Sequence, residues 1–126
     1  MSDEILYSVK LALSNGSLSD SYSSSNLRAD QSLARLVRNT QPIPNTPTAL
    51  DMGDVITPGM SIFANMSTVD TDIIEVGNYT GGTFYPLVEL KYGEQAVFRV
   101  GISGSLLYAQ SNTASGAILF YIIYND

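Results

Sequence analysis

The chain contains no cysteine, no histidine and no tryptophan among its 126 residues. Without cysteine it can form neither a disulfide framework nor a thiolate metal site. Without histidine it lacks the commonest general base and the commonest transition-metal ligand, so neither a Ser–His–Asp triad nor a Cys–His pair can be built. These absences predict a protein that is not an enzyme, with no catalytic residues, no cofactor and no metal ion.

Charged residues are also scarce, at 14% of the chain, compared with roughly 25% in an average globular protein. Twelve acidic and six basic residues give a net charge of −6. A polyanion would be repelled by that balance, so no nucleic-acid partner is expected. No run approaches the roughly 18 apolar residues of a membrane span, and the acidic start is unlike a signal peptide. We therefore expect no membrane association.

The sequence does contain many short apolar runs separated by turn signals. Beyond residue 60 these runs are SIFANM, DIIEV, TFYPLVELK, QAVFRV, SLLYAQ and AILFYIIY. Gly, Asn, Asp and Pro clusters separate them at a spacing of roughly 8–12 residues, which is typical of an all-β sandwich or barrel. The pattern predicts a single antiparallel β-sandwich domain over residues 1–126. About eight or nine short strands would suit a jelly-roll-like arrangement.

Alternation predicts which faces are buried. Residues 5–13 alternate apolar and polar side chains, as a half-buried strand does. The apolar positions of residues 88–100 alternate about the turn Tyr92–Gly93, which predicts a hairpin with one wet face. Residues 118–124 are apolar at nearly every position, as in a central strand covered on both sides. The predicted core of this half comprises Phe63, Ile74, Val88, Leu90, Phe98, Val100, Leu107, Phe120 and Ile122.

The N-terminal third is less regular. Residues 14–26 are polar and rich in serine, which predicts a loop or a weak edge strand. Residues 27–38 fit either a helix capped by Asn26 or two short strands, LRADQ and ARLVRN. Residues 39–48 hold three of the five prolines, and this predicts an extended connector rather than a regular element.

Two further patterns carry little chemistry. Asp70, Asp72 and Glu75 place carboxylates close together, and oxygen clusters suit Ca²⁺. However, a complete calcium-loop signature is absent, and Asp-Thr-Asp is also an ordinary turn sequence. Three N-x-S/T triplets occur without a secretory signal, so we do not expect them to be glycosylated; they begin at Asn15, Asn65 and Asn78.

Three segments together resemble a family of small tailed-bacteriophage virion proteins encoded among head genes. These segments are LDMGDVITPGMSIFANMSTVDTDIIEVG, TGGTFYPLVELKYGEQAVFRVG and LLYAQSNTASGAILFYIIYND. They cover about residues 50–126 and repeat the turns and strand faces of that family. The resemblance implies a β-sandwich that assembles with other virion proteins, and it brings no catalytic residues.

The function implied is that of a capsid decoration or cement protein on the outer surface of the major capsid protein shell. Its location would be the virion surface, after synthesis in the host cytoplasm. By analogy with decoration at three-fold positions we expect a homo-oligomer, with a trimer favoured. The alternative is a fibre- or tail-associated adhesion module that binds a host carbohydrate or protein.

Long non-regular segments with nearby cations suit contact with a neighbouring surface. The partner-binding residues predicted on this basis are Ser23, Ser24, Arg35, Arg38, Pro42 and Pro44.

Overall fold

The computed structural model describes residues 4–126 and divides the chain into two compact units, Met1–Ser32 and Leu33–Asp126. The described part is almost entirely β-structure, as predicted. Every strand of the sandwich lies in the second unit, so the sandwich predicted for residues 1–126 is built by residues 33–126.

The first unit is a β-hairpin. Strand β1 (Ile5–Asn15) pairs antiparallel with strand β2 (Leu18–Ala29). A bulge interrupts the ladder after Tyr7, and Asn26 there adopts a left-handed φ of 58°. Of the two alternatives for residues 14–26, the Ser-rich loop is therefore wrong and the edge strand is confirmed, because most of the segment is strand. Serine disfavours strands only weakly, and main-chain pairing with the alternating β1 outweighs that preference.

The second unit holds eight strands and one short 3₁₀ turn at Gly104–Leu106. The strands are β3 (Leu36–Ile43), β4 (Thr48–Ala49), β5 (Pro58–Asn65), β6 (Ile74–Thr80), β7 (Thr83–Leu90), β8 (Gln95–Arg99), β9 (Leu107–Ser111) and β10 (Ala117–Asn125). The helix considered for residues 27–38 is wrong, since this segment contains the end of β2 and the start of β3. The connector predicted at 39–48 shrinks to residues 44–47, because β3 runs to Ile43.

Two four-stranded antiparallel sheets make the sandwich. One has the strand order β3-β10-β5-β8 and the other has the order β4-β9-β6-β7. Successive strands alternate between the sheets except at the β6–β7 hairpin, which turns at Gly81–Gly82. Eight antiparallel strands wound in this order form a jelly roll, as the sequence predicted.

The predicted hairpin about Tyr92–Gly93 is an arch between the sheets. Strand β7 pairs with β6, whereas β8 pairs with β5 in the opposite sheet. The apolar positions on both sides of the turn still face the interior, with Leu90 and Val100 buried and Phe98 packed against the core. Alternation reports which face of a strand is buried, but it does not report which strand it pairs with.

The core lies between the two sheets. Phe63 on β5 is completely buried, and its ring stacks on Phe98 at 5.4 Å and on Tyr121 at 6.2 Å between centroids. Five predicted core residues are buried and two more pack against the core; they are Phe63, Ile74, Leu90, Val100 and Leu107, then Val88 and Phe98.

The remaining two predicted core residues, Phe120 and Ile122, are misplaced. On β10 the buried positions are the odd-numbered ones, Leu119, Tyr121 and Ile123, while the even-numbered side chains lie half-buried on the outer face. When a strand is apolar at every position, its sequence does not show whether the odd-numbered or the even-numbered side chains face the core.

Gly77 allows two backbones to approach closely. It lies on β6 opposite a bulge in β7, where the pairing shifts after Val76 and Leu87 is left without a partner in the ladder. A Cβ at this position would lie 2.1 Å from the carbonyl oxygen of Tyr85 and 2.7 Å from the Cα of Pro86. Only glycine fits without movement of the β7 main chain.

We predict that Phe63→Ala lowers the free energy of unfolding of the sandwich by about 3–5 kcal/mol, because it removes a buried ring and leaves a cavity. Urea titration followed by tyrosine fluorescence measures the change. Val97→Ala, on the outer face of the paired strand β8, is the control and should cost less than about 1 kcal/mol. Equal losses in the two variants would contradict the assigned faces.

We also predict that Gly77→Ala lowers the melting temperature by at least about 10 °C, because the added methyl group forces β6 and β7 apart. Gly101→Ala is the matched control, since a Cβ there meets no heavy atom within 4 Å. Calorimetry of both variants checks the difference. A Gly77→Ala protein as stable as the wild type would mean that the bulge relaxes freely.

Candidate interaction surfaces

The predicted partner-binding residues fall in both units. Ser23 and Ser24 lie on β2, opposite Lys10 and Val9 respectively, so their side chains project from opposite faces of the hairpin. The other four lie along β3 and the segments that flank it; these are Arg35, Arg38, Pro42 and Pro44. That these six residues contact a partner stays a prediction.

Strand β3 forms one edge of its sheet, since its only ladder is with β10. Pro42 suits this position because proline, which has no N–H to donate, is confined to edges or bulges of sheets. Just past the strand, the carbonyl of Pro44 accepts a hydrogen bond of 2.9 Å from the Ser111 N–H. The edge is therefore fixed to the sandwich through the main chain.

Arg38 is held against the outer face of the sheet. Its guanidinium carbon lies 5.5 Å from the centre of the Phe120 ring, a cation–π arrangement. The carbonyl of Arg35, just before β3, accepts a hydrogen bond of 2.9 Å from the N–H of Asn125. The two arginines thus stand beside an ordered strand, and Arg38 presents its charge on an apolar surface.

That surface is the outer face of the β3-β10-β5-β8 sheet, which we call the outer sheet face. It is formed by apolar side chains on all four strands: Leu36, Ile62, Val97, Ile118, Phe120, Ile122 and Tyr124. Leu36 is 56% exposed and Val97 is 44% exposed, and the remainder are half-buried. A sandwich needs only one apolar face per sheet, so this second apolar face is available to a partner.

Sequence reasoning missed this surface because it assigned Phe120 and Ile122 to the core. The signal was nevertheless visible in the unbroken apolar run AILFYIIY. Such a run indicates a strand covered on both sides. The opposite sheet covers one side of β10, and nothing else in the second unit covers the other, where those side chains stay half-buried.

The carboxylates of residues 70–75 do not form a metal site. Among residues 4–126, no group of three or more acidic, histidine or cysteine side chains could hold a metal ion. Asp72 is buried, and its carboxylate accepts a hydrogen bond from the Ser67 hydroxyl. Asp70 is exposed, and Glu75 lies on β6 opposite Glu89. The buried carboxylate therefore serves the local structure of the loop.

The three asparagines of the N-x-S/T triplets differ in their surroundings. Asn15 ends β1, at the hairpin turn. Asn65 is 1% exposed; its Nδ2 donates to the carbonyls of Asp72 and Leu90, and its Oδ1 accepts from the Ser67 N–H. The Oδ1 of Asn78 is buried and has no hydrogen-bond partner among the described residues. Asn65 is thus a structural residue that joins the β5–β6 loop to the end of β7.

The concavities of the second unit include a polar cleft and an apolar cavity. A polar cleft of about 550 Å³ lies between the loops at residues 67–72 and 112–116 and is lined mostly by hydroxyl and amide side chains. An apolar cavity of about 240 Å³ lies between β7 and β8 and is lined by residues such as Leu87, Phe98 and Leu107. Asp72 is the only ionisable residue lining the cleft, and it is already hydrogen-bonded.

Among the described residues, the phenol of Tyr121 has a pKa that is clearly shifted from its ordinary value. Its phenol oxygen lies 2.7 Å from the Asp51 carbonyl and 3.0 Å from Gln41 Oε1, and it accepts a hydrogen bond of 3.2 Å from Asn39. Burial raises the pKa of Tyr121, the Asn39 hydrogen bond opposes this rise, and the negative charge of Asp51 adds to it. The phenol joins β10 to β3 and to the segment after β4.

Among residues 4–126, no helix has the length and apolar character needed to cross a membrane. Comparison of the chain with family models, with curated proteins and with solved structures finds no match.

We predict that Tyr121→Phe lowers the free energy of unfolding by about 1–3 kcal/mol at neutral pH, because it removes the hydrogen bonds of the phenol with the Asp51 carbonyl, Gln41 and Asn39. In the unfolded chain the phenol ionises near pH 10. In the folded protein its pKa is raised, so the phenol ionises only at a higher pH. This contribution to stability is complete below about pH 10 and is lost as the pH rises through the folded pKa.

Urea titrations at neutral and alkaline pH should therefore show the gap between wild type and Tyr121→Phe narrowing above about pH 10. The exposed Tyr85→Phe serves as the control and should follow the wild type at each pH. A gap that stays constant with pH would contradict the assignment of the alkaline loss to Tyr121.

Proposed function

We propose that the protein is a non-enzymatic structural protein of a tailed-phage virion. In this role it is a capsid decoration or cement protein that binds the outer surface of the major capsid protein shell. It acts as a homo-oligomer, with a trimer favoured, and binds neither nucleic acid nor membrane. The sequence resemblance over about residues 50–126 supports this proposal, and the jelly-roll fold agrees with it, since viral capsid domains share this architecture.

The single observation that carries the proposal is the outer sheet face. The sandwich is already closed by its inner faces, so apolar side chains such as Phe120, Ile122 and Val97 on the other side add nothing to the core. Contiguous exposed apolar surface marks contact with a protein or ligand. A four-stranded sheet face suits a large protein surface better than a small molecule, which prefers a concave pocket.

The edge of this face adds charge to the contact. Arg38 lies over Phe120, and Arg35 is exposed just before β3. On a chain of net charge −6, the guanidinium of Arg38 gives this border of the outer sheet face a local positive charge that suits acidic groups on a shell protein. The face can thus combine a hydrophobic centre with a polar rim, as protein–protein interfaces do.

Chemistry on the second unit is limited. The polar cleft contains one carboxylate, Asp72, which is hydrogen-bonded to Ser67. A catalytic pair of carboxylates would need a second acid across the cleft, and its lining has none. The cleft does carry hydroxyl and amide groups such as those of Thr71, Asn112 and Ser115, and this favours carbohydrate binding by a tail or fibre module as the alternative function.

We predict that Val97→Glu weakens attachment to virions stripped of this protein at least tenfold, because it places a charge on the β8 side of the apolar outer sheet face; tenfold corresponds to about 1.4 kcal/mol. Tyr85→Glu is the matched control: it adds the same charge at a similarly exposed aromatic residue of the opposite sheet. Occupancy on purified particles, measured by quantitative mass spectrometry against added protein, checks the prediction, and melting curves confirm that both variants fold.

Copy number on untreated virions distinguishes the two functions. Copies in the hundreds are expected for a protein that covers the shell, whereas a few to a few dozen would favour the tail or fibre alternative. Absence of the protein from purified virions would overturn the proposal as a whole. Equal attachment of Val97→Glu and Tyr85→Glu would show that the outer sheet face is not the docking surface.

A further inference from the structure

The β-hairpin of the first unit presents one apolar and one polar face. Leu11 pairs with Tyr22, and directly paired residues share a face of a sheet. By the same alternation, Val9, Leu13 and Leu18 lie on the face of this pair. We call this set the apolar hairpin face: Val9, Leu11, Leu13, Leu18 and Tyr22.

All five side chains of this face are exposed to solvent. The exposed fractions are 39% for Val9, 76% for Leu11, 46% for Leu13, 60% for Leu18 and 64% for Tyr22. The opposite face carries small and polar side chains along the same length: Lys10, Ala12, Ser14, Ser19, Ser21 and Ser23. The ribbon is thus amphipathic, and its apolar side is as open to solvent as its polar side.

A two-stranded ribbon of this kind is stable only when its apolar face packs against another surface. Among the described strands, β1 and β2 pair only with each other, and a two-stranded hairpin without a packed face is at best marginally stable in water. If a large side chain has roughly 150–200 Å² of surface, the exposed fractions leave about 500 Å² of apolar area in this patch, which is near the upper end for monomers.

We propose that the apolar hairpin face binds the same face of a second copy of this chain. Two such patches bring together about 1,000 Å² of apolar surface, which reaches the size needed for a specific interface before any flanking contact is counted. A two-fold contact is self-complementary by construction, because each ribbon meets a surface of its own length and character. This inference rests on the homo-oligomer part of the proposed function but not on the trimer, because a two-fold contact joins copies in pairs and would form a dimer or link two trimers.

The charge of the face also favours a second copy over a charged partner. The single charged side chain that the pairing places on it is Asp20, opposite Leu13. Recognition of a strongly basic or acidic surface needs several complementary charges, and this face does not supply them. Lys10, the one cation of β1, pairs with Ser23 on the opposite face.

The first experiment compares two neighbouring substitutions in the full chain, Leu11→Lys and Ala12→Lys. Both add the same charge, but the first lies on the apolar hairpin face and the second on the polar face. Sedimentation equilibrium from about 1 to 100 µM gives the mass and its concentration dependence. We expect wild type and Ala12→Lys to exceed the 13.6 kDa of one chain, and the dissociation constant to rise at least tenfold in Leu11→Lys.

The second experiment uses the absence of cysteine from the natural sequence. Leu11→Cys and Ala12→Cys each introduce one thiol, on opposite faces of the ribbon. Under mild oxidation Leu11→Cys should form a disulfide-linked species of twice the chain mass much faster than Ala12→Cys. Melting of the sandwich, recorded for every variant, separates loss of association from loss of folding.

A wild-type monomer over the whole concentration range would overturn the inference, as would equal cross-linking of the two cysteine variants. If the wild type is monomeric but Leu11→Lys loses attachment to virions, the occupant of this face is the shell and not a second copy. If the protein associates through this face yet is absent from virions, the proposed function fails while the self-association stands.

Discussion

The sandwich depends on strand β10, which lies between β3 and β5 in its sheet and buries its inner face in the core. Leu119, Tyr121 and Ile123 on this strand are inaccessible to solvent, and Tyr121 stacks against Phe63. The same strand provides the phenol that meets Asp51 and Gln41, and the buried amide of Asn125, whose oxygen accepts the N–H groups of Ile56 and Thr57. The positions of the β4–β5 segment and of the β3 edge thus follow from one strand.

Much of this arrangement could be predicted from the sequence, because burial and turns leave local signals. The runs beyond residue 60 became strands β5 to β10, and the turns at Gly16, Gly81–Gly82 and Gly93 fall between strands, each with a positive φ. Strand partners left no such signal. The arch between β7 and β8 has the alternation of a hairpin, and only contacts distant in the chain place its two arms in different sheets.

The predictions of a loop at residues 14–26 and of a buried Phe120 and Ile122 were wrong for a related reason. Low hydrophobicity suggested a loop at residues 14–26, but β2 is ordered by pairing with β1, which lies mostly outside that segment. Because β10 is apolar at nearly every position, its sequence does not show which side chains face the core. Phe120 and Ile122 were therefore assigned to the core, although they lie on the outer face. That Arg35, Arg38, Pro42 and Pro44 bind a partner stays a prediction. Their common placement along one sheet edge could not be predicted, because it follows from the β3–β10 ladder.

The position of β10 has a consequence for how the chain folds. This strand follows every other strand in the sequence, yet it is hydrogen-bonded on both sides, to β3 and to β5. Until residues 117–125 fold into place, β3 has no neighbour in its sheet, and β5 lacks the partner for the edge that pairs with β10. Contacts of such large sequence separation must be formed late and at a high cost in loop entropy, which makes folding slow. During that interval the unpaired strands β3 and β5 are open to pairing with other chains.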